Sequence, residues 1–237
     1  MMINKNKELR LNYLSRIAVL PLAAVLFVAF TLRTQKIDTA LELNYHGKKM
    51  IVIIDAGHGG MDLGASSNNG RNEKDLTLQI ANKIHEINQN SAIELVLSRE
   101  NDRTISPKER VNFSIAQHAN LFISIHLDAS PNSAPSGSGL SVYIPNNAYP
   151  FLQQSKLLGM MLVQRFQSNY ELPVNLMLQQ RKGTWVLNSN QSPSVLIEAG
   201  YITNEKDLDY LSNENNQERI AKSILLSINQ YFVSQGK

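Results

Sequence analysis

The pattern of apolar and polar positions opens with residues 17–32, IAVLPLAAVLFVAFTL, sixteen residues without a charge between Arg16 and Arg33. That length lies between a signal-peptide core and a membrane-spanning helix of about 20 residues. The run is apolar on every side, which does not suit a helix packed on a core. Downstream there is no clear small-x-small cleavage site, and Thr31-Leu32-Arg33 is a poor one. The segment reads as an export signal retained as an anchor in or through the inner membrane. Its basic flank stays in the cytoplasm and the rest of the chain becomes periplasmic or extracytoplasmic. Residues 37–48 are polar and without period, as in a linker. The organisation expected is a basic signal and anchor region over 1–36, a linker over 37–48 and one folded domain over 49–237.

Within that domain, strand-like and helix-like runs alternate. Residues 50–55 form a continuous apolar, β-branched run ending in Asp55, as expected of a strand covered on both faces. Residues 73–88 place Leu76, Ile80, Ile84 and Ile87 three and four apart, on one helical face. Residues 93–98 read as a strand. Residues 106–118 begin Ser-Pro-Lys-Glu, a capping box with proline at the first helical position, and read as a helix. Strands follow at 121–126, 139–145 and 194–198, with helices at 151–170 and 216–232. This alternation predicts an α/β fold, a sheet with helices on both faces.

Charge separates the two regions. Six of the 23 basic and one of the 20 acidic residues lie within residues 1–36, so the net +3 of the chain becomes −2 for the remainder. The folded part therefore lacks the basic face that nucleic-acid binding calls for. There is no cysteine, which excludes disulfides, thiolate metal sites and a cysteine nucleophile.

Chemistry concentrates at the ends of three apolar runs. IVIIDAGHGG delivers Asp55 and His58, LFISIHLDAS delivers His126, and SVLIEAGYITN delivers Glu198. In open α/β sheets ligands bind at the carboxyl ends of the strands, so parallel strands would bring these groups together. Two histidines with carboxylates suit a divalent metal such as zinc (Zn2+), held by three protein ligands with one position open for water. His58 and His126 supply two nitrogens. Glu73, at the start of a helix, is the candidate for the third ligand, although alone it also reads as a helix-capping acid. Glu198 is then free to act as general base and acid. Asp55 is expected either to orient a ligand histidine or to cap the turn. His46, His85 and His118 read as surface or structural. Arg99, Arg103 and Arg110 are expected to pair with local acids such as Asp102 and Glu109. Trp185 reads as a core residue, with stacking on a sugar as the alternative.

The stretches IVIIDAGHGGMDLGA, NEKDLTLQIA, LSRENDRTISPKERVNFSIAQHANLFISIHLDAS and PSVLIEAGYITNEKDLDYL, in this order over residues 50–232, resemble the zinc-dependent N-acetylmuramoyl-L-alanine amidases of the cell-wall hydrolase class. The resemblance implies a single α/β domain with a mixed, largely parallel sheet. It implies hydrolysis of the amide between N-acetylmuramic acid and L-alanine in peptidoglycan, in wall remodelling or daughter-cell separation. His58, Glu73 and His126 match the family's zinc ligands, and Glu198 its catalytic glutamate. Some family members carry a blocking helix ahead of the last motif. No obvious counterpart lies between residues 139 and 198, so an open site is expected. A protein activator is conceivable under the same resemblance but unnamed by it. The competing expectations are a non-catalytic wall-binding or regulatory module, and a zinc amidase confined to soluble muropeptides.

Overall fold

The computed structural model describes residues 44–131, 137–180 and 183–236. The apolar segment 17–32 and most of the expected linker lie outside the described residues. Among the described residues no helix is long and apolar enough to cross a membrane. The expected linker ends sooner than its composition suggests. Tyr45 is 1% exposed. Its ring packs on Phe232 at 5.3 Å between centroids, and its N–H donates to Asn229 Oδ1 at 3.1 Å. A single aromatic residue in a polar stretch carries no period, which is why the pattern did not reveal this anchor.

The elements are β1 (Met50–Ala56), α1 (Glu73–Ile87), β2 (Ile93–Leu97), α2 (Pro107–Ala116), β3 (Leu121–Asp128), β4 (Ser141–Tyr143), α3 (Leu152–Asn169), α4 (Trp185–Asn188), β5 (Ser194–Tyr201), α5 (Glu205–Ser212) and α6 (Glu214–Ser234). Within the described residues the strands form one five-stranded sheet in the order β2-β1-β3-β5-β4. β2, β1, β3 and β5 run parallel, and β4 pairs antiparallel with the edge of β5. The α/β expectation therefore holds, including the mixed, mostly parallel sheet.

Side-chain alternation divides the sheet into two faces. Val52, Ile54 and Ala56 of β1, Ile123 and Ile125 of β3, and Val195 and Ile197 of β5 enter the larger core, packed against α1, α3 and α6. Ile53, Phe122 and Leu196 face the other way into a smaller core with Leu187 of α4 and Phe113 of α2. Both faces are covered, so the strands are apolar at nearly every position. Asp55, His126 and Glu198 fall on the smaller-core face by the same alternation, at the carboxyl ends of their strands.

Local signals set the helix ends. Ser106 accepts from the Glu109 N–H at 3.3 Å, while Glu109 Oε2 accepts from the Ser106 N–H at 2.8 Å, a reciprocal capping box with Pro107 at the first position. Asn204 caps α5 and Asn213 caps α6 in the same manner from the N-cap side. The sequence pattern missed α5, which is only eight residues long. It also missed the single turn α4.

Candidate metal centre

The loop after β1 carries His58 in the left-handed region, with φ 59°. For a residue other than glycine this conformation needs support. Two buried arginines supply it. Arg110 Nη2 donates to the His58 carbonyl at 2.5 Å, and its Nη1 donates to the Ala56 carbonyl at 2.6 Å. Arg99 Nη2 donates to the Gly57 carbonyl at 2.9 Å and to the Lys74 carbonyl at 2.7 Å, tying the loop to the first turn of α1. Three successive carbonyls leaving β1 are thus held by guanidinium donors.

Asp55 completes this support. It is fully buried, and its carboxylate accepts from Arg110 Nη1 at 2.5 Å, Ser98 Oγ at 2.6 Å and Ser124 Oγ at 2.7 Å. Burial pushes its carboxyl up, but the Arg110 charge and the two hydroxyl donors outweigh this and hold it below the usual range. Two sequence expectations are corrected here. Asp55 orients neither histidine; it neutralises Arg110. The arginines do not pair with Asp102 or Glu109. Asp102 pairs with Lys74 at 2.6 Å, Glu109 belongs to the capping box, and Arg103 donates to the Ser98 carbonyl at 2.9 Å.

At the strand ends, His58, Glu73 and His126 come together. Each offers one ligand atom, and these atoms lie within 4.8 Å of one another. Glu73 Oε1 is 3.1 Å from His58 Nε2 and 2.9 Å from His126 Nδ1. The two imidazoles meet nearly edge to face, 4.9 Å apart at 81°. Glu73 is 3% exposed. The Leu127 N–H donates to its Oε1 at 3.0 Å and the Ala65 N–H to its Oε2 at 3.0 Å. Burial raises the Glu73 carboxyl, yet the bonds from His126 and His58 reverse this and keep it far below its ordinary value. His58 answers in the opposite direction: burial lowers it, and Glu73 and Asp62 together raise it above its ordinary value.

Asp62 was not singled out by the sequence. Its Oδ2 lies 2.9 Å from His58 Nδ1, four residues on within the same glycine-rich loop. A carboxylate can only accept, so Nδ1 donates to Asp62; with an ion between Nε2 and Glu73, His58 would be the Nδ1–H tautomer. The acid at i+4 from a candidate ligand was the available signal. Two glycines make the packing possible. A Cβ on Gly57 would stand 2.5 Å from His126 Cε1, and one on Gly64, at φ +65°, would stand 2.6 Å from Glu73 Oε2 and 2.7 Å from His58 Cδ2.

Glu198 is 2% exposed and is the register partner of His126 on the neighbouring parallel strand, so both project from the same face. The structure thus brings together His58, Glu73 and His126, with Glu198 on the adjacent strand. His46, His85 and His118 are exposed and stand apart from this cluster. Two nitrogens and a carboxylate oxygen, with one nitrogen ligand oriented by a further carboxylate, are a donor set for a divalent metal that leaves a position open.

A cleft of about 190 Å³ opens over His58 and His126, with Trp185, Ile105 and Pro107 in its walls. Trp185 is 47% exposed, which overturns its assignment to the core. α4 is one turn long, and its buried residue is Leu187. Residues two apart on a helix point about 200° apart, so Trp185 is turned outward. A larger groove of about 540 Å³ lies along α3, lined by Leu157, Met160 and Leu178 and holding none of the metal-site residues.

Comparison with known proteins identifies the fold and family. The Amidase_3 family, described as N-acetylmuramoyl-L-alanine amidase, matches residues 52–230. A putative N-acetylmuramoyl-L-alanine amidase of Buchnera aphidicola subsp. Baizongia pistaciae is 31% identical over 215 residues, 79% of this chain and 99% of that protein. Among solved structures, an N-acetylmuramoyl-L-alanine amidase from Clostridium difficile 630 superposes with a TM-score of 0.73 at 31% identity, covering 80% of this chain and all of that one. The CwlD amidase from Clostridioides difficile, solved in complex with the GerS lipoprotein, gives 0.65 at 30% identity and covers 78% of this chain and 100% of its own. The family match spans the whole interval from β1 into α6, and with it this chain belongs to the N-acetylmuramoyl-L-alanine amidase family.

Proposed function

We propose that the chain is an exported, zinc-dependent N-acetylmuramoyl-L-alanine amidase. It hydrolyses the amide between the lactyl group of N-acetylmuramic acid and L-alanine of the stem peptide in peptidoglycan. The observation that carries this is the convergence of His58, Glu73 and His126 at the carboxyl edge of the sheet, with Glu198 in register beside His126. His58 Nε2, His126 Nδ1 and the Glu73 carboxylate are the atoms that would hold the ion. When bound, zinc supplies Lewis-acid polarisation of the scissile carbonyl and lowers the pKa of water at the site to about 7.

The chain's own groups divide the remaining work. Asp62 fixes the His58 tautomer, so the metal-facing nitrogen carries the lone pair. The arginine-held loop keeps His58 in its strained conformation. Glu198 takes the proton from the attacking water and delivers it to the L-alanine nitrogen as the C–N bond breaks, so the amine leaves neutral. Residues 17–32 carry the domain out of the cytoplasm and hold it at the membrane, within reach of the wall. The complex of the CwlD relative with a lipoprotein supports a protein partner for this chain.

The test is digestion of purified sacculi by the full chain, with and without chelator, and mass spectrometry of what is released. Free stem peptides beginning with L-alanine are expected, lost with chelator and restored by zinc. Glu198→Gln should abolish release while bound zinc is retained. Unchanged release by that variant would remove Glu198 from the mechanism, and release without zinc would remove the metal.

A further inference from the structure

We infer that Trp185 is the platform for the sugar ring of the substrate: the indole stacks on the apolar face of the N-acetylated pyranose and so sets the lactyl amide over the metal residues. The inference rests on the amidase reading and names which part of that substrate the cleft takes.

The wall is built to present this side chain. Leu187 locks α4 into the smaller core beside Ile53 and Phe122. Asn188 Nδ2 donates to the Thr184 carbonyl at 2.9 Å, and the Asn146 N–H donates to Asn188 Oδ1 at 2.8 Å. Thr184 is itself only 4% exposed. The turn is therefore fixed on both flanks, and the backbone carrying the indole needs little further ordering when a ligand arrives. Ile105, Pro107 and Val186 line the same cleft, so the indole has apolar neighbours in its wall.

Charge and size then choose the occupant. Among the described residues lining the cleft the cation is Arg110, 5% exposed and already committed to Asp55 and to the Ala56 and His58 carbonyls. The other charged groups lining the cleft are the carboxylates of Asp55 and Asp62. Arg110 and Asp55 neutralise one another and Asp62 faces His58, so the described side chains beside the indole offer a ligand little charge apart from the metal residues themselves. A pyranose is neutral, and its C–H face stacks on an aromatic ring while its hydroxyl and acetamido groups remain wet. At about 190 Å³ the cleft is also smaller than the roughly 300–1,000 Å³ of pockets that enclose a whole ligand, so it suits one ring and not the full disaccharide-peptide.

Trp185 is the single tryptophan of the chain, so its fluorescence reports on this wall directly. The full chain carrying Glu198→Gln, loaded with zinc, is titrated with N-acetylmuramoyl-L-alanyl-D-isoglutamine and, separately, with N-lactoyl-L-alanyl-D-isoglutamine, which has the same scissile amide and no sugar. A saturable change in tryptophan emission is expected with the first ligand and none with the second. In the otherwise native chain, Trp185→Ala should raise KM for the sugar-bearing substrate about tenfold, the size of one aromatic contact, with kcat little changed. Trp185→Phe should recover part of that loss, and the ring-free substrate should not distinguish the three proteins. Equal emission changes with both ligands, or equal KM effects on both, would overturn the inference by placing the indole against the peptide. No change with either would remove Trp185 from the site. A wild-type chain that hydrolyses neither compound counts against the amidase reading, while the titration still decides whether the wall binds the sugar.

Discussion

Gly57→Ala separates the needs of the fold from the needs of the metal centre. The added methyl would stand 2.5 Å from His126 Cε1 and 2.7 Å from both ring nitrogens. Carbon contacts settle at about 3.5–4.0 Å, so something must recede by roughly 1 Å. The backbone of Gly57 cannot. Its N–H donates to the Ile125 carbonyl at 3.0 Å, and its carbonyl accepts from Thr77 Oγ1 and Arg99 Nη2, both at 2.9 Å. The His126 ring is 20% exposed and is free to turn outward. A displacement of that size takes Nδ1 beyond hydrogen-bond reach of Glu73 Oε1, now 2.9 Å away, and takes a ligand from the metal. Zinc affinity should fall by about 100-fold, the upper end of what orienting contacts contribute and about 2.7 kcal/mol. The fold should hardly notice. Gly57 does not occupy the left-handed region, so alanine fits its backbone and reduces the entropy of the unfolded chain by about 0.4–1 kcal/mol, which offsets part of the local crowding. Chelator-competition titration measures the first effect, and urea unfolding of the metal-free protein the second. Zinc affinity within about threefold of wild type would show that the glycine does not make room for the ring, well short of the range expected for a lost orienting contact. A loss of several kcal/mol in the metal-free protein would show that it serves the strand instead.

Three further outcomes follow from the same geometry. Asp62→Asn should weaken zinc binding by about 10- to 100-fold in the competition titration and leave metal-free unfolding nearly unchanged, because its side chain is 59% exposed and its other contact, from the Gly64 N–H, an amide oxygen can still accept. Asp55→Asn strands the Arg110 charge in the interior and should lower stability at pH 7 by about 3 kcal/mol in urea titrations. The Asp55 carboxyl is held below its ordinary 3.8, so its contribution is fully present above that value and disappears as pH falls below it. Unfolding free energy should therefore decline more steeply below about pH 4 in wild type than in the variant. Ser106→Ala removes one half of the α2 capping box and should cost about 1 kcal/mol by the same urea assay.

The elements and the convergence of His58 and His126 were legible because both follow from the apolar runs that precede them. A short, β-branched run apolar at nearly every position reads as a strand covered on both faces, and three such runs ending in His58, His126 and Glu198 place those residues at one edge of a parallel sheet. The contacts that hold them were not legible, and the reason is physical. Arg110 reaches Asp55 across 55 residues, and Arg99 reaches the Gly57 carbonyl across 42. A guanidinium has no sequence period, and the carbonyls it holds are the same at every residue. Local acids such as Asp102 and Glu109 were therefore the natural partners to expect, yet each is engaged elsewhere: one at Lys74, the other in a helix cap.

Trp185 makes the same point from the opposite side. In a long amphipathic helix its neighbours would reveal which way it faces. In a single turn the direction is set by one residue, Leu187, and by whether the strand beneath has a gap for it. The side chains that carry donor atoms can thus be found from where strands end, whereas those that position substrate or ligand act through the turns between elements. That division explains why the cluster of His58, Glu73 and His126, with Glu198 beside it, was legible from the chain alone, and why the acid that contacts His58 and the outward turn of the indole had to be found by geometry.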